Sequence, residues 1–167
     1  MYITHPWQPV YDERSKILIL GTMPSPKSRA YGFYYGNSQN CFWTIIARVL
    51  ARAEPPSDIR SRTEFLLANR IALWDVLDSC EIKGAADNSI TNPVAHRFAS
   101  LLSKTQIRNI FTTGKKATEL FNGLSAEEAG MKAIYLPSTS PANRAAQIKP
   151  AFFERWELVA RALTTDA

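Results

Sequence analysis

Cysteine is scarce in this chain. There are two, Cys41 and Cys80, far apart and outside any paired motif. That excludes a Cys-rich zinc site, a four-Cys iron–sulfur cluster and a disulfide-rich secreted scaffold, and leaves both thiols as packing residues. Histidine is equally sparse. His5 and His96 stand alone in the sequence and are expected at surface or structural positions, without a role. No run approaches the ~18 apolar residues that a membrane-spanning helix needs. The segment Met1–Trp7 has no basic region followed by an apolar stretch, so no signal peptide is expected and a reducing cytoplasm is the default. There is no Gly-rich phosphate loop ending in Lys-Ser/Thr and no acidic metal cluster. A nucleotide hydrolase is therefore the weakest enzymatic reading, and neither metal nor cofactor is expected.

What is present suits one globular domain over residues 1–167, with 46% apolar and 21% charged residues. A chain of this size buries roughly 70% of its unfolded surface and needs no covalent staple. Twenty basic against 15 acidic residues leave a net charge of +5. This is compatible with a polyanionic partner, although many enzymes without one share it.

Short apolar runs alternate with helical patterns. Lys16–Leu20, stopped by Gly21, reads as a buried strand. Ile71–Trp74, Arg108–Thr113 and Lys132–Leu136 read as three more. Helices are expected over 40–52, over 61–69 behind a capping box at Ser61 and Glu64, over 94–104, over 115–121, and from Pro150 onward. In the last helix Phe152, Trp156, Val159 and Leu163 form a core-facing stripe. Residues 78–92 read as polar and irregular. Repeated strand–helix alternation implies an α/β fold: three α/β/α layers around a central four-stranded, mostly parallel sheet. In such folds ligands bind beyond the carboxyl ends of the strands.

Two strand ends are chemically unusual. After the first strand comes Gly21-Thr-Met-Pro-Ser-Pro-Lys-Ser28, then Gly32-Phe-Tyr-Tyr-Gly36, then Asn37-Ser-Gln-Asn-Cys-Phe-Trp43. Gly21 and the prolines fix a turn whose backbone amides can face a ligand. Phe33, Tyr34 and Tyr35 offer flat faces for stacking a base, and Gln39 and Asn40 offer amides that read a base edge or orient a water. The same composition equally describes an aromatic loop packed on its own domain. After the fourth strand comes Leu136-Pro-Ser-Thr-Ser-Pro-Ala-Asn-Arg144, whose hydroxyls, amides and Arg suit phosphate, and whose rigid tip suits entry into a duplex. A polar turn capping the last helix is the competing reading.

Taken together, the two loops resemble the uracil-DNA glycosylase superfamily. Gly21, Pro24, Ser28, Gly32, Phe33, Tyr35, Asn40, Phe42 and Trp43 follow the order of the mismatch-specific uracil glycosylases, and Leu136, Pro137, Ser140 and Arg144 match that family's second motif. The spellings Gly-Thr-Met-Pro-Ser, Gly-Phe-Tyr-Tyr-Gly and Gln-Asn-Cys-Phe-Trp are more similar still to the deoxyinosine (hypoxanthine) glycosylase branch. The resemblance implies a monofunctional DNA glycosylase in base-excision repair, acting by base flipping on DNA with a deaminated base, hypoxanthine preferred, as a monomer and away from membranes. It implies catalytic work at Asn40 and at the backbone of Thr22 and Met23. Base binding is implied at Gly21, Phe33, Tyr35, Gln39 and Ser138, and DNA binding at Ser25, Lys27, Ser28, Ser140, Asn143 and Arg144.

One departure matters. Mismatch-specific uracil glycosylases carry a water-positioning Asn where Met23 stands, and a thioether cannot act as a base there. Ser138 stands near the position where the strong uracil glycosylases have a His. The catalytic expectation therefore moves to Asn40. Asp75 and Asp78, just past the second strand, could reach the pocket, but solvated or capping roles are favoured; Asp87 and Asn88 border it in the irregular stretch. Arg29 is a further backbone candidate, and Lys115 and Lys116 open a helix where charge and amides meet. The alternatives are a uracil or G:U/T mismatch glycosylase, and a catalytically silent DNA-damage-binding module.

Overall fold

The computed structural model describes residues 1–165; the last two residues of the expected domain lie outside it. The elements run β1 (Tyr2–Thr4), β2 (Ile17–Gly21), α1 (Pro26–Tyr31), α2 (Phe42–Val49), α3 (Ile59–Ala68), β3 (Ile71–Asp75), β4 (Leu77–Glu81) and β5 (Thr91–Ala95). There follow α4 (Ala99–Ser103), β6 (Asn109–Thr113), α5 (Lys115–Leu124), α6 (Ala126–Ala129), β7 (Ile134–Leu136), α7 (Arg144–Gln147) and α8 (Pro150–Thr164).

The central sheet has the order β3-β2-β6-β7, and every pair is parallel. All five residues of β2 are buried, as a strand covered on both faces requires. Its side chains alternate between two cores. Ile17 and Ile19 join Leu73, Phe111, Phe42 and Trp156 on the side of α2 and α8. Leu18 and Leu20 join Ile110, Phe98 and Phe121 on the side of α4 and α5. The expected stripe on the last helix holds: Phe152, Trp156 and Val159 are buried and Leu163 packs against them.

Two differences from the sequence pattern are informative. Residues 78–92 are not merely irregular: β4 pairs antiparallel with both β1 and β5, making a second, three-stranded sheet. The expected helix over 94–104 shrinks to α4 because Val94 and Ala95 belong to β5. Register shifts along the β4–β5 pairing break the alternation by which a strand is recognised. The helix expected from Ser61 starts earlier. Asp58 caps it by accepting the Ser61 N–H at 2.7 Å, and the Ser61 hydroxyl accepts the Asp58 N–H, so Ser61 is the third residue of the box rather than the first.

Candidate base-binding pocket

The carboxyl ends of β2, β3 and β6 bring Gly21, Asp75 and Thr113 side by side. They floor a cavity of about 730 Å³, a volume suited to a small organic ligand. Gly21 has no substitute there. A Cβ on it would lie 2.6 Å from Asp75 Oδ1 and 3.0 Å from the Tyr35 hydroxyl, so the backbone floor exists because the side chain is missing.

Tyr35 forms a wall. Its ring stacks on Phe42 at 4.0 Å between centroids and 11° between planes, and its hydroxyl pairs with Thr113 Oγ1 at 3.2 Å. Its backbone has φ +53°, a left-handed conformation that bulky residues rarely adopt and that neighbouring structure must hold. Burial, and then the charge of Asp75, push its phenol far above the ordinary tyrosine range, so it remains a neutral, stackable ring.

Asn40 lines the cavity together with the loop over residues 138–143. Its Oδ1 accepts the Phe42 N–H at 2.9 Å, which fixes the amide orientation and leaves the NH₂ group for another partner. The adjacent Cys41 N–H donates to Thr139 O, which ties the first loop to the second. A side-chain bridge repeats the tie: Arg144 Nη2 donates to Gln39 Oε1 at 3.0 Å.

Two carboxylates face this space. Asp75 is 4% exposed, and its Oδ2 lies 2.8 Å from His5 Nε2. Asp87 sits across the mouth and accepts from Thr22 Oγ1 at 3.3 Å. Asp87 is open to the cavity yet crowded by protein elsewhere. That crowding raises its carboxyl pKa; the Thr22 hydrogen bond opposes the rise, the charge of Asp75 adds to it and Lys116 offsets it.

The expected site residues separate into groups. Gly21, Thr22, Met23, Ser25, Ser28, Tyr35, Asn40, Ser138, Ser140 and Asn143 all line the one cavity. Among the described residues the Met23 N–H has no backbone acceptor, while its side chain packs on the core behind it. Phe33 is elsewhere: it is buried and stacked on Trp43 in the main core, and Tyr34 takes the neighbouring place on the lining. Gln39 also lies outside the lining, engaged by Arg144. Ser25 and Ser28 are loop builders: the Ser25 hydroxyl caps α1 and donates to Ser28 Oγ, which in turn accepts the Gly36 N–H. Asn143 Nδ2 donates to Ser138 O, holding the second loop in shape. Lys27 is exposed on α1, whereas Arg29 turns inward to Pro24 O at 2.7 Å.

Asp75, for which a solvated or capping role was favoured, is instead enclosed on the cavity lining, and both histidines take buried structural places. His5, expected at the surface or in a structural place, has a side chain only 1% exposed, and His96 stacks on Trp74 at 3.6 Å. The available signal was position. Asp75 follows directly on the apolar run Ile71–Trp74, at the strand end where ligands of parallel sheets bind.

A three-layer α/β/α frame with a rigid aromatic pocket at the strand ends, closed by a second loop that carries Arg144, defines a class of enzymes that handle single extruded bases. The chain belongs to the Uracil DNA glycosylase superfamily, whose profile matches residues 8–160. A hypoxanthine DNA glycosylase of Methanosarcina acetivorans is 34% identical over 139 residues, covering 81% of this chain and 85% of that one. One of Methanosarcina barkeri is 32% identical over 137 residues with the same coverage. The solution NMR structure of a candidate uracil DNA glycosylase from M. acetivorans superposes with a TM-score of 0.82 at 31% identity, over 99% of this chain and 100% of that one.

Proposed function

We propose that this DNA glycosylase hydrolyses the N-glycosidic bond of deaminated purines, hypoxanthine first, as a monofunctional enzyme acting alone on DNA. The observation that carries the reading is the convergence of Tyr35, Asn40 and the Gly21–Met23 backbone on one cavity whose other lip is the Ser138–Asn143 loop. The names of both Methanosarcina relatives agree with that substrate. Among the described residues no helix is long and apolar enough to cross a membrane.

Cleavage builds positive charge on the sugar and negative charge on the departing base, and rate comes from stabilising both. The extruded purine stacks on the open face of Tyr35. The Met23 N–H, and Thr22 beside it, donate to the purine carbonyl as charge collects there. A single well-aimed donor of this kind lowers the barrier by about 2.7–4 kcal/mol. Asn40, pinned through Oδ1, presents its amide to the attacking water. Arg144 and Lys27, exposed at the starts of α7 and α1, meet the DNA backbone.

The test is an oligonucleotide panel with one deoxyinosine, uracil, xanthine or ordinary base, followed by alkali to break abasic sites. Breaks at deoxyinosine above all others are expected. Breaks at uracil alone reverse the substrate order, and breaks at none of the lesions remove the enzymatic reading.

A further inference from the structure

The turn between β4 and β5 contributes Asp87 to the cavity wall and holds its own shape. Gly84, Ala86, Asp87 and Asn88 all line the cavity. The Ser89 hydroxyl accepts the Lys83 N–H at 2.9 Å and donates to Ala86 O at 2.6 Å, and Ile90, the next residue, is buried in the core on the side of α4 and α5. Asp87 therefore has a fixed place. Its Oδ2 accepts from Thr22 Oγ1 at 3.3 Å, and Oδ1 has no hydrogen-bond partner among the described residues. Thr22 and Met23 are the residues that meet the purine carbonyl in the proposed glycosylase complex, so the Asp87 carboxyl sits beside that contact. Asn40, which presents its amide to the water, belongs to a different loop. The titratable groups around Asp87 are Asp75 at the end of β3, Lys116 on α5, the Tyr35 phenol and the Cys80 thiol, and Lys115 shares the cavity lining. Crowding, and then Asp75, favour the neutral carboxyl more than Thr22 and Lys116 favour the charged one.

We infer that Asp87 is a catalytic acid of the pocket, its carboxyl giving a proton to ring N7 of the departing purine. The inference rests on the proposed glycosylase reading and names the group that neutralises the leaving base. In a 6-oxopurine the carbonyl oxygen and N7 are neighbouring acceptors on one edge. A base held by its carbonyl at Thr22 and Met23 therefore turns N7 toward the carboxyl beside them. The C1′–N9 bond breaks with its electron pair passing into the ring, the Asp87 proton arrives at N7, and the base departs as a neutral purine. Water adds to C1′, and the proton it gives up restores the Asp87 carboxyl. A carboxyl held neutral near working pH suits this task, because a general acid acts only while it keeps its proton. A pyrimidine has no ring nitrogen in the place of N7, so this acid serves purine lesions.

The experiment compares wild type with Asp87→Asn and Asp87→Ala in single-turnover excision from a deoxyinosine duplex between about pH 5.5 and 8, a range that brackets neutral working pH. It adds a duplex carrying 7-deazadeoxyinosine, which has C–H in place of N7, and affinity for a tetrahydrofuran abasic analogue, which has no base to protonate. Wild-type excision of deoxyinosine should fall as pH rises, and both variants should be flat. At the acid end the variants should be slower by about 100-fold, the scale of one general acid, and the gap should narrow toward high pH. On 7-deazadeoxyinosine the wild type should lose its advantage over the variants. Abasic binding should stay within about twofold of wild type, since it depends on backbone contacts. Undiminished excision by the variants, a wild-type rate that is level or rises with pH, an advantage kept on the 7-deaza substrate, or a parallel loss of abasic binding overturns the inference while the glycosylase reading stands. A wild type inert on deoxyinosine across the range overturns that reading and this inference with it.

Discussion

Gly21, Asn40 and Asp87 show how much of the site depends on single residues. Adding one methyl at Gly21 drives it into Asp75 and Tyr35, two enclosed groups with no slack. Gly21→Ala is expected to cost about 1–3 kcal/mol of stability and most of the activity, read by thermal melting and deoxyinosine excision. Asn40→Ala removes the amide that faces the cavity together with the Phe42 N–H acceptor. The expected outcome is a loss of at least about 100-fold in excision, of the order expected for one transition-state donor, with a melting temperature near that of wild type; wild-type rates would remove Asn40 from the chemistry. Asp87 has a different signature. Its carboxyl titrates higher in the folded protein than in the unfolded chain, so folding favours the protonated form. Its contribution is therefore fully present below the ordinary carboxylate range and is lost as pH rises through its raised value. Asp87→Asn should remove this group's share of the pH dependence of the melting temperature above about 4, the ordinary carboxylate value.

At the scale of elements, the two loops are held as one body. Cys41 N–H to Thr139 O joins their backbones and Arg144 to Gln39 joins their side chains. Arg144 is exposed, so its bridge to Gln39 adds little stability and can be exchanged for phosphate. Arg144→Ala should weaken binding to any DNA sequence and lower the slope of log affinity against log salt by about 1; an unchanged slope places Arg144 outside the interface. The parallel strands were legible because β2, β3 and β6 are short apolar runs bounded by Gly21, Asp75 and Gly114. The sheet of β1, β4 and β5 was not. β1 has only three residues with burial on one, and β4 carries polar Asp78, Ser79 and Glu81, so neither shows a periodicity strong enough to read. Phe33 and Tyr35 differ for the same reason. Adjacent aromatics on one loop look equivalent in sequence, and only the turn at Tyr35, with its positive φ, sends one ring to the cavity while the other joins Trp43 in the core.

Across the whole molecule the pocket is the meeting place of two cores and of the N-terminal segment. β1 and His5 pack from one side, α2 and the Tyr35 stack from the other, and Trp156 anchors α8 to the second loop by donating to Pro137 O at 3.1 Å. Trp156→Ala should therefore destabilise the fold by about 3–5 kcal/mol and loosen the second loop, measured by denaturant midpoint and DNA affinity together. His96, enclosed against Trp74, sets an acid limit. Burial lowers its pKa below the ordinary value of 6.5 more than its bond to Asp75 O raises it, so the folded protein resists protonation there. Stability from this group is complete above the ordinary histidine range and is lost as pH falls below it. What the sequence did not reveal is the pairing of His5 with Asp75, which lie 70 positions apart and become neighbours only when the N-terminal strand pairs with β4. The most direct measurement of the central claim is to identify what leaves the DNA. Incubation with a deoxyinosine duplex, followed by mass spectrometry without alkali, should yield free hypoxanthine in step with abasic sites on an unbroken strand. Intact deoxyinosine with no free base, or strands cut with hypoxanthine still attached to its sugar, would contradict it.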